Sequence, residues 1–128
     1  MTDRPNNYKP PESREELLHR YANGERSFPE TDLEEADLAG VTLDGADFER
    51  GSWFFDASFE GASLRGTSFR SCNVKCANFC HADLTGASFE GAAVEAAQFE
   101  GAKLAGVSFV GAGHYGYTIQ QGDSFPPA

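Results

Sequence analysis

A large apolar residue stands at every fifth position of residues 54–109 without a miss. These residues are Phe54, Phe59, Leu64, Phe69, Val74, Phe79, Leu84, Phe89, Val94, Phe99, Leu104 and Phe109. A small residue lies two positions before nearly every one of them, as Ala57 does before Phe59. A period of five is neither the 3.6 of an α-helix nor the 2.0 of a β-strand, so it indicates a repeat architecture built from one short recurring unit.

A second series with the same spacing precedes the first and is out of phase with it. It comprises Phe28, Leu33, Leu38, Leu43 and Phe48. The step from Phe48 to Phe54 is six residues, which places a one-residue insertion within residues 49–53. An insertion in a repeating wall predicts a local bulge.

Several repeats share the order small residue, Asp/Asn/Ser, Leu or Phe, polar residue, Gly. Examples are residues 36–40 (Ala-Asp-Leu-Ala-Gly), 82–86 (Ala-Asp-Leu-Thr-Gly) and 87–91 (Ala-Ser-Phe-Glu-Gly). In this order the chain resembles the pentapeptide-repeat family, and the likeness covers about two thirds of the sequence. The resemblance implies an all-β solenoid, a right-handed four-sided parallel β-helix of about four coils, with one pentapeptide on each side.

Four pentapeptides per coil would stack residues twenty apart, and the sequence agrees with that geometry. Three of the resulting columns are nearly uniform in residue type: Leu38, Phe59, Phe79, Phe99 and Ile119; Leu43, Leu64, Leu84 and Leu104; and Phe28, Phe48, Phe69, Phe89 and Phe109. The remaining column is mixed in residue type and comprises Leu33, Phe54, Val74, Val94 and His114. We expect these side chains to fill the interior as its structural core, with small residues beside them because larger ones would overfill it.

Residues 1–25 predict an N-terminal arm followed by a short helix. Ser13 stands three positions before Glu16, which is the spacing of a capping box, and the Asn-Gly pair at 23–24 can end a helix. We expect a helix over about residues 14–22 that covers the open end of the solenoid, because terminal coils otherwise expose their core.

The pentapeptide-repeat β-helix is expected to span residues 26–111, and residues 112–128 are expected to form a C-terminal cap or tail. The pattern fails there, with several glycines and with His114 in a core position. One of the residues Tyr115, Tyr117, Ile119 and Phe125 should fold over the last coil.

The formal net charge is −10, and its distribution is uneven. Residues 27–60 carry ten acidic residues against one basic residue, a net −9, whereas residues 61–110 carry four of each. Direct binding to nucleic acid is not expected, because neutralising phosphates needs clustered Lys and Arg. No apolar run approaches a membrane span and the first residues lack a signal-peptide core, so we expect a cytoplasmic protein that does not bind membranes.

Three cysteines fall within nine residues, at 72, 76 and 80. This odd number does not suggest a disulfide framework and agrees with a reducing cytoplasm. Cys76, Cys80 and His81 are residue types that zinc uses. Their places in the repeat, however, are a corner, an outward position and the next corner, so we favour ordinary wall residues and expect neither a metal nor another cofactor.

Trp53 and Phe55 flank the inward Phe54 at the insertion and form a candidate recognition patch. The alternatives are that Trp53 folds over the bulge or that the N-terminal helix packs there. Asp at the second repeat position is explained by turn formation. The remaining acids Glu34, Glu35, Asp44 and Glu49 are not, so with Trp53 and Phe55 they are the candidate partner-binding residues.

No catalytic constellation is evident, since the three histidines are far apart in sequence and a filled interior leaves no substrate cavity. We therefore expect a non-enzymatic, rigid protein-interaction scaffold of unknown partner. The resemblance adds an alternative, because some bacterial pentapeptide-repeat proteins imitate DNA, bind DNA gyrase or topoisomerase IV and protect against quinolones.

Those family members are longer and pair through a C-terminal helix. The rod expected here is only about 20 Å long at about 4.8 Å per coil, as a monomer or an end-to-end dimer. A weaker alternative is a small regulator of a signalling partner.

Overall fold

The computed structural model describes residues 7–126 of the chain. The elements are α1 (Arg14–Ala22), a long series of isolated parallel bridges, and two short strands, β1 (Gly113–His114) and β2 (Tyr117–Thr118). Residues 1–6 of the expected arm and 127–128 of the expected tail lie outside the described residues. No helix of residues 7–126 has the length and apolarity needed to cross a membrane.

The wall of the molecule is a parallel ladder in which each coil pairs with the next. Ser68 pairs with Ser88, and Ser88 pairs in turn with Ser108. The N–H of Phe69 donates to the carbonyl of Ser88 at 2.8 Å, and the N–H of Ser88 donates to the carbonyl of Thr67 at 3.1 Å. The fold is the right-handed four-sided parallel β-helix of about four coils that the family resemblance implies.

The one-residue insertion is visible in the register of the ladder. Asp32 pairs with Trp53, twenty-one residues on, whereas Trp53 pairs with Asn73, twenty residues on. The extra residue is absorbed at the corner before Trp53, where Arg50 has a φ of 139° and Gly51 a φ of 76°. The predicted bulge is therefore confirmed at this corner.

The four walls are called here the first to fourth faces, in chain order, and each is defined by its inward column. The columns are Phe28, Phe48, Phe69, Phe89 and Phe109 for the first face; Leu33, Phe54, Val74 and Val94 for the second; Leu38, Phe59, Phe79 and Phe99 for the third; and Leu43, Leu64, Leu84 and Leu104 for the fourth. All of these side chains are at most 7% exposed except Leu104, which is partly exposed in the last coil. The interior is a continuous stack of apolar side chains.

The helix α1 closes the N-terminal end. The Ser13 hydroxyl accepts a hydrogen bond from the N–H of Glu16 at 3.0 Å, as the capping spacing predicts. Leu17 is completely buried in the hydrophobic core. The Tyr21 hydroxyl donates to the carbonyl of Asp44 at 2.7 Å, which ties α1 to the first coil. A single amphipathic helix thus covers the apolar end that the repeats leave open.

At the C-terminal end the chain reverses direction instead of completing another coil. Strands β1 and β2 pair antiparallel, with Gly113 opposite Thr118 and His114 opposite Tyr117. The expected continuation of the Phe99 column to Ile119 is wrong. The N–H of Ile119 donates to the carbonyl of Ala112 at 2.9 Å, so Ile119 lies beside Ala112.

Two apolar residues cover the last coil: Ile119 is 4% exposed within the hydrophobic core, and Phe125 packs against that core. The ring centroid of Phe125 lies 4.8 Å from that of Phe109 and 6.2 Å from that of Phe99, both at steep interplanar angles. The centroid of the His114 ring lies 5.0 Å from that of the Phe125 ring. Of the four residues expected to fold over the end, Phe125 makes these ring contacts and Ile119 is buried. Tyr115 and Tyr117 are 70% and 53% exposed.

Candidate protein-docking surface

Trp53 stands on the second face with 47% of its surface exposed. Its backbone is fixed in the wall, because its N–H donates to the carbonyl of Thr31 at 2.7 Å. The residues that pair with it in the coils before and after are Asp32 and Asn73. An exposed indole therefore stands where the adjacent coils carry short polar side chains.

Phe55 lies two residues further along the same face and is half-buried. Its carbonyl accepts a hydrogen bond from the N–H of Glu35 at 2.8 Å. The alternative in which the N-terminal helix packs on Trp53 does not describe this fold, because the hydrogen bond from Tyr21 ties α1 to Asp44 of the fourth face, opposite Trp53. The two aromatic side chains belong to the outer side of the wall.

Carboxylates flank this aromatic pair on the side of the preceding coil and directly after Phe55 in the chain. The register across the insertion places Asp32 beside Trp53 and Glu35 beside Asp56, with Glu34 between. All four carboxylates are exposed, and none forms an ion pair with a Lys or Arg of residues 7–126. We call this surface the Trp53 patch; its members are Asp32, Glu34, Glu35, Trp53, Phe55 and Asp56.

Sequence reasoning did not assign Asp32 and Asp56 to this surface. The signal was present in the insertion, because a stagger of twenty-one residues puts Asp32 directly beside Trp53. The turn preference of Asp at the second repeat position accounts for the residue type at Asp32, but it does not fix which side chains lie next to it.

Asp44 and Glu49, the other two candidate acids, lie elsewhere. Asp44 is on the fourth face, where its Oδ1 accepts hydrogen bonds from the hydroxyl of Ser63 at 2.7 Å and the N–H of Arg65 at 2.9 Å. Glu49 is on the first face, 3.9 Å from the guanidinium of Arg70. The fold therefore brings together Glu34, Glu35 and the aromatic pair and separates Asp44 and Glu49 from them.

The three residues of types that zinc uses, Cys76, Cys80 and His81, do not form a metal site. Cys76 and His81 occupy successive corners with φ values near 62°. Cys80 lies 3.3 Å from Oε1 of Glu100 in the next coil; partial burial, and then this carboxylate, raise the pKa of its thiol. Among residues 7–126 no group of three or more His, Cys, Asp or Glu is arranged to hold a metal.

Comparison with known families supports the repeat assignment. The model for pentapeptide repeats matches this chain in eight copies, over residues 26–51 and 62–97. The unmatched stretch between them begins beside the insertion and contains Trp53 and Phe55. None of the curated proteins matches the chain in sequence.

Solved structures of other repeat proteins are similar to this chain. A pentapeptide repeat protein from Nostoc Pcc 7120 is 25% identical, with 91% of this chain and 93% of that chain covered and a TM-score of 0.64. Rfr23 from the cyanobacterium Cyanothece 51142 is 21% identical over 64% of this chain and 58% of its own, with a TM-score of 0.48. QnrB1, a plasmid-mediated fluoroquinolone resistance protein, is 17% identical over 71% of this chain and 59% of its own, with a TM-score of 0.25. The first of these structures, with a TM-score of 0.64, supports the fold.

Proposed function

Because the chain belongs to the pentapeptide-repeat family, we propose that it is a rigid protein-interaction scaffold whose partner docks on the Trp53 patch. The stacked core supports rigidity, since every inward column is packed from one coil to the next. A surface on such a wall is preorganised, and preorganisation lowers the conformational entropy lost on binding.

The exposed indole of Trp53 is the observation that carries the proposal. Aromatic residues, Trp above all, are concentrated at the centres of protein interfaces, where they dominate the binding energy. Folding gains little from an indole that is 47% exposed at a position where the neighbouring coils use Asp and Asn. Three free cysteines support a reducing compartment such as the cytoplasm as the setting.

The proposal is tested by crosslinking the purified protein in a lysate of its native organism and identifying the captured protein by mass spectrometry. Binding is then measured by calorimetry with both purified proteins. The test variant is Trp53→Ser with Phe55→Thr. Other repeats already have these residue types at the same positions, Ser58 before Phe59 and Thr85 after Leu84, so the variant should fold. We expect its affinity to fall at least tenfold.

The matched control is Tyr115→Ser, which removes an aromatic residue that is 70% exposed at the other end of the molecule. We expect unchanged affinity for this variant. A partner that binds the Trp53 and Phe55 double variant as tightly as the natural protein would exclude this patch as the docking surface.

A second candidate function is inhibition or protection of a type II topoisomerase by DNA mimicry. The observation that favours it is the net −9 of residues 27–60, with exposed acids on several faces of the first coils. A gyrase supercoiling assay tests it, with Glu34, Glu35, Glu49 and Glu60 reversed to Lys as the matched variant. Asp44 is left intact because its carboxylate bonds to the next coil.

The two functions give opposite outcomes in this assay. Inhibition that disappears on charge reversal would support DNA mimicry. No inhibition up to tens of micromolar would exclude it and would leave the scaffold function as the proposal.

A further inference from the structure

We propose that the Trp53 patch binds an arginine side chain presented by a basic segment of the protein partner. The inference rests on the proposed function, because it names the class of segment that this docking surface takes. It is carried by the aromatic surface together with the charge that surrounds it.

Trp53 is 47% exposed on a rigid wall. Trp is the best of the aromatic side chains for contacts with a cation, and its exposure leaves room for a group to lie against it. Phe55, two residues along the same face, is a second, half-buried aromatic residue. A planar guanidinium can stack on such a surface, which the compact ammonium of Lys does less well.

The surrounding charge selects a cationic partner. Asp32, Glu34 and Glu35 are exposed in the coil before the aromatic pair, and Asp56 is exposed directly after Phe55. A purely apolar segment would desolvate these carboxylates without replacing their hydration, and an acidic segment would be repelled. An arginine fits both features, because its guanidinium forms two parallel hydrogen bonds with a carboxylate while it stacks on a ring.

Two cations lie near the patch in the wall. Arg50 lies at the corner before the second face, and Lys75 follows Phe55 one coil on. Within residues 7–126 neither of them forms an ion pair with the four carboxylates. The four carboxylates outnumber the two cations, so the net charge of the patch and its neighbours is negative.

The chain contains the same arrangement at its N-terminal end, built from its own residues. The guanidinium carbon of Arg20 lies 5.5 Å from the ring centroid of Tyr8 and 5.7 Å from that of Phe28. Arg20 also pairs with Glu25 at 2.7 Å and with Glu16 at 3.1 Å. Hydrogen bonding to Glu25, the largest influence, raises the pKa of Arg20, so this arrangement favours the charged guanidinium.

The experiment uses the full chain and the single tryptophan as its reporter. Since the sequence contains one Trp, the ¹⁵N-labelled protein gives one indole N–H signal, which belongs to Trp53. The probe is an acetylated and amidated hexapeptide of alternating serine and arginine. We expect this peptide to displace the indole signal in a saturable manner. The same peptide with lysine in place of arginine should bind about threefold more weakly. The peptide with citrulline in place of arginine, which keeps the shape of the side chain but lacks its charge, should not displace the signal.

Matched charge variants separate local recognition from general attraction to an acidic protein. Glu34→Gln with Glu35→Gln removes two charges from the patch, and we expect the dissociation constant to rise about fivefold. Glu49→Gln with Glu60→Gln removes the same amount of charge from the first and third faces. We expect this pair to change the dissociation constant less than twofold. Equal weakening by the two pairs, or an indole signal that the arginine peptide does not move, would overturn the inference.

A final measurement separates this inference from the proposed function. If the captured partner needs Trp53 and the arginine peptide competes with it, both stand. If the partner needs Trp53 but the peptide does not compete, the docking surface stands and the arginine assignment is wrong. If the partner binds without Trp53, the docking surface itself is wrong.

Discussion

The rings of Phe59 and Phe79 lie parallel, 5.1 Å apart, with an interplanar angle of 1°. Phe79 stacks in the same way on Phe99, 5.3 Å away at 6°. Across the interior, Phe69 and Phe89 meet Phe79 edge to face at 72° and 81°. Rings therefore stack along a column and meet edge-on between columns, and both geometries are favourable for aromatic pairs.

Phe79→Ala should destabilise the protein by roughly 3–5 kcal/mol, because it opens a cavity among four rings in a rigid stack. Phe79→Leu should cost clearly less, since Leu38 occupies the same column in the first coil. Urea unfolding followed by circular dichroism measures both. A near-neutral Phe79→Ala would contradict the stacked interior.

The fourth face predicts a gradient of stability along the molecule. Leu84 is completely buried, whereas Leu104 in the last coil is partly exposed. Leu84→Ala should therefore cost about 2–5 kcal/mol and Leu104→Ala less than half as much. Equal losses in urea unfolding would indicate that another part of the molecule covers Leu104 in solution.

The inward columns could be predicted because their physical cause is local and repeated. A fixed period leaves one geometry in which Phe stacks on Phe and Leu on Leu, and Ser13 with Glu16 marks the start of α1 for an equally local reason. The end of the solenoid could not be predicted in the same way. Ile119 keeps the spacing of its column, but the hairpin of β1 and β2 takes it out of register.

The candidate site was predictable only in part. Trp53 and Phe55 stand out in the sequence because they break the repeat. Their neighbours depend on the register across the insertion, which brings Asp32 beside Trp53 and leaves Asp44 on the opposite face. A charge count along the chain treats these two acids alike, although only one of them lies near the indole.

Corner glycines should differ in their tolerance of alanine according to what lies over them. Gly61 and Gly101 occupy the same corner in different coils, with φ values of 68° and 73°. A Cβ at Gly61 would meet open space, whereas one at Gly101 would meet the His81 ring. Both Ala variants should lose about 1 kcal/mol to the left-handed backbone, and Gly101→Ala should lose more because the ring must move.

His81→Gly provides the control for this comparison. It removes the ring and also relieves a non-glycine residue at a φ of 62°, so it should not destabilise the protein. In that background Gly61→Ala and Gly101→Ala should cost the same. A difference that persists would show that something other than His81 restricts the Gly101 corner.

Cys72 should make the protein lose stability at alkaline pH. Its thiol donates to the carbonyl of Phe48 at 3.1 Å, and burial raises its pKa to about 12. An unfolded cysteine ionises near pH 8.5. Between these values the unfolded state releases a proton that the folded state retains, so the stabilisation is complete below about pH 8.5 and is lost as pH rises toward 12.

The expected loss between pH 7 and pH 10 is about 2 kcal/mol from this thiol alone. Cys72→Ala places in the wall the residue that Ala77 and Ala82 provide in the next repeats, and it should lack this part of the pH dependence. Cys76→Ala is the matched control, because it removes a thiol from a corner where Ala96 stands one coil further on. Urea unfolding at pH 7 and pH 10 gives the free energy of unfolding of the natural protein and of both variants. If the natural protein and Cys72→Ala lose the same stability, the thiol of Cys72 ionises in the folded state and its wall is open to water.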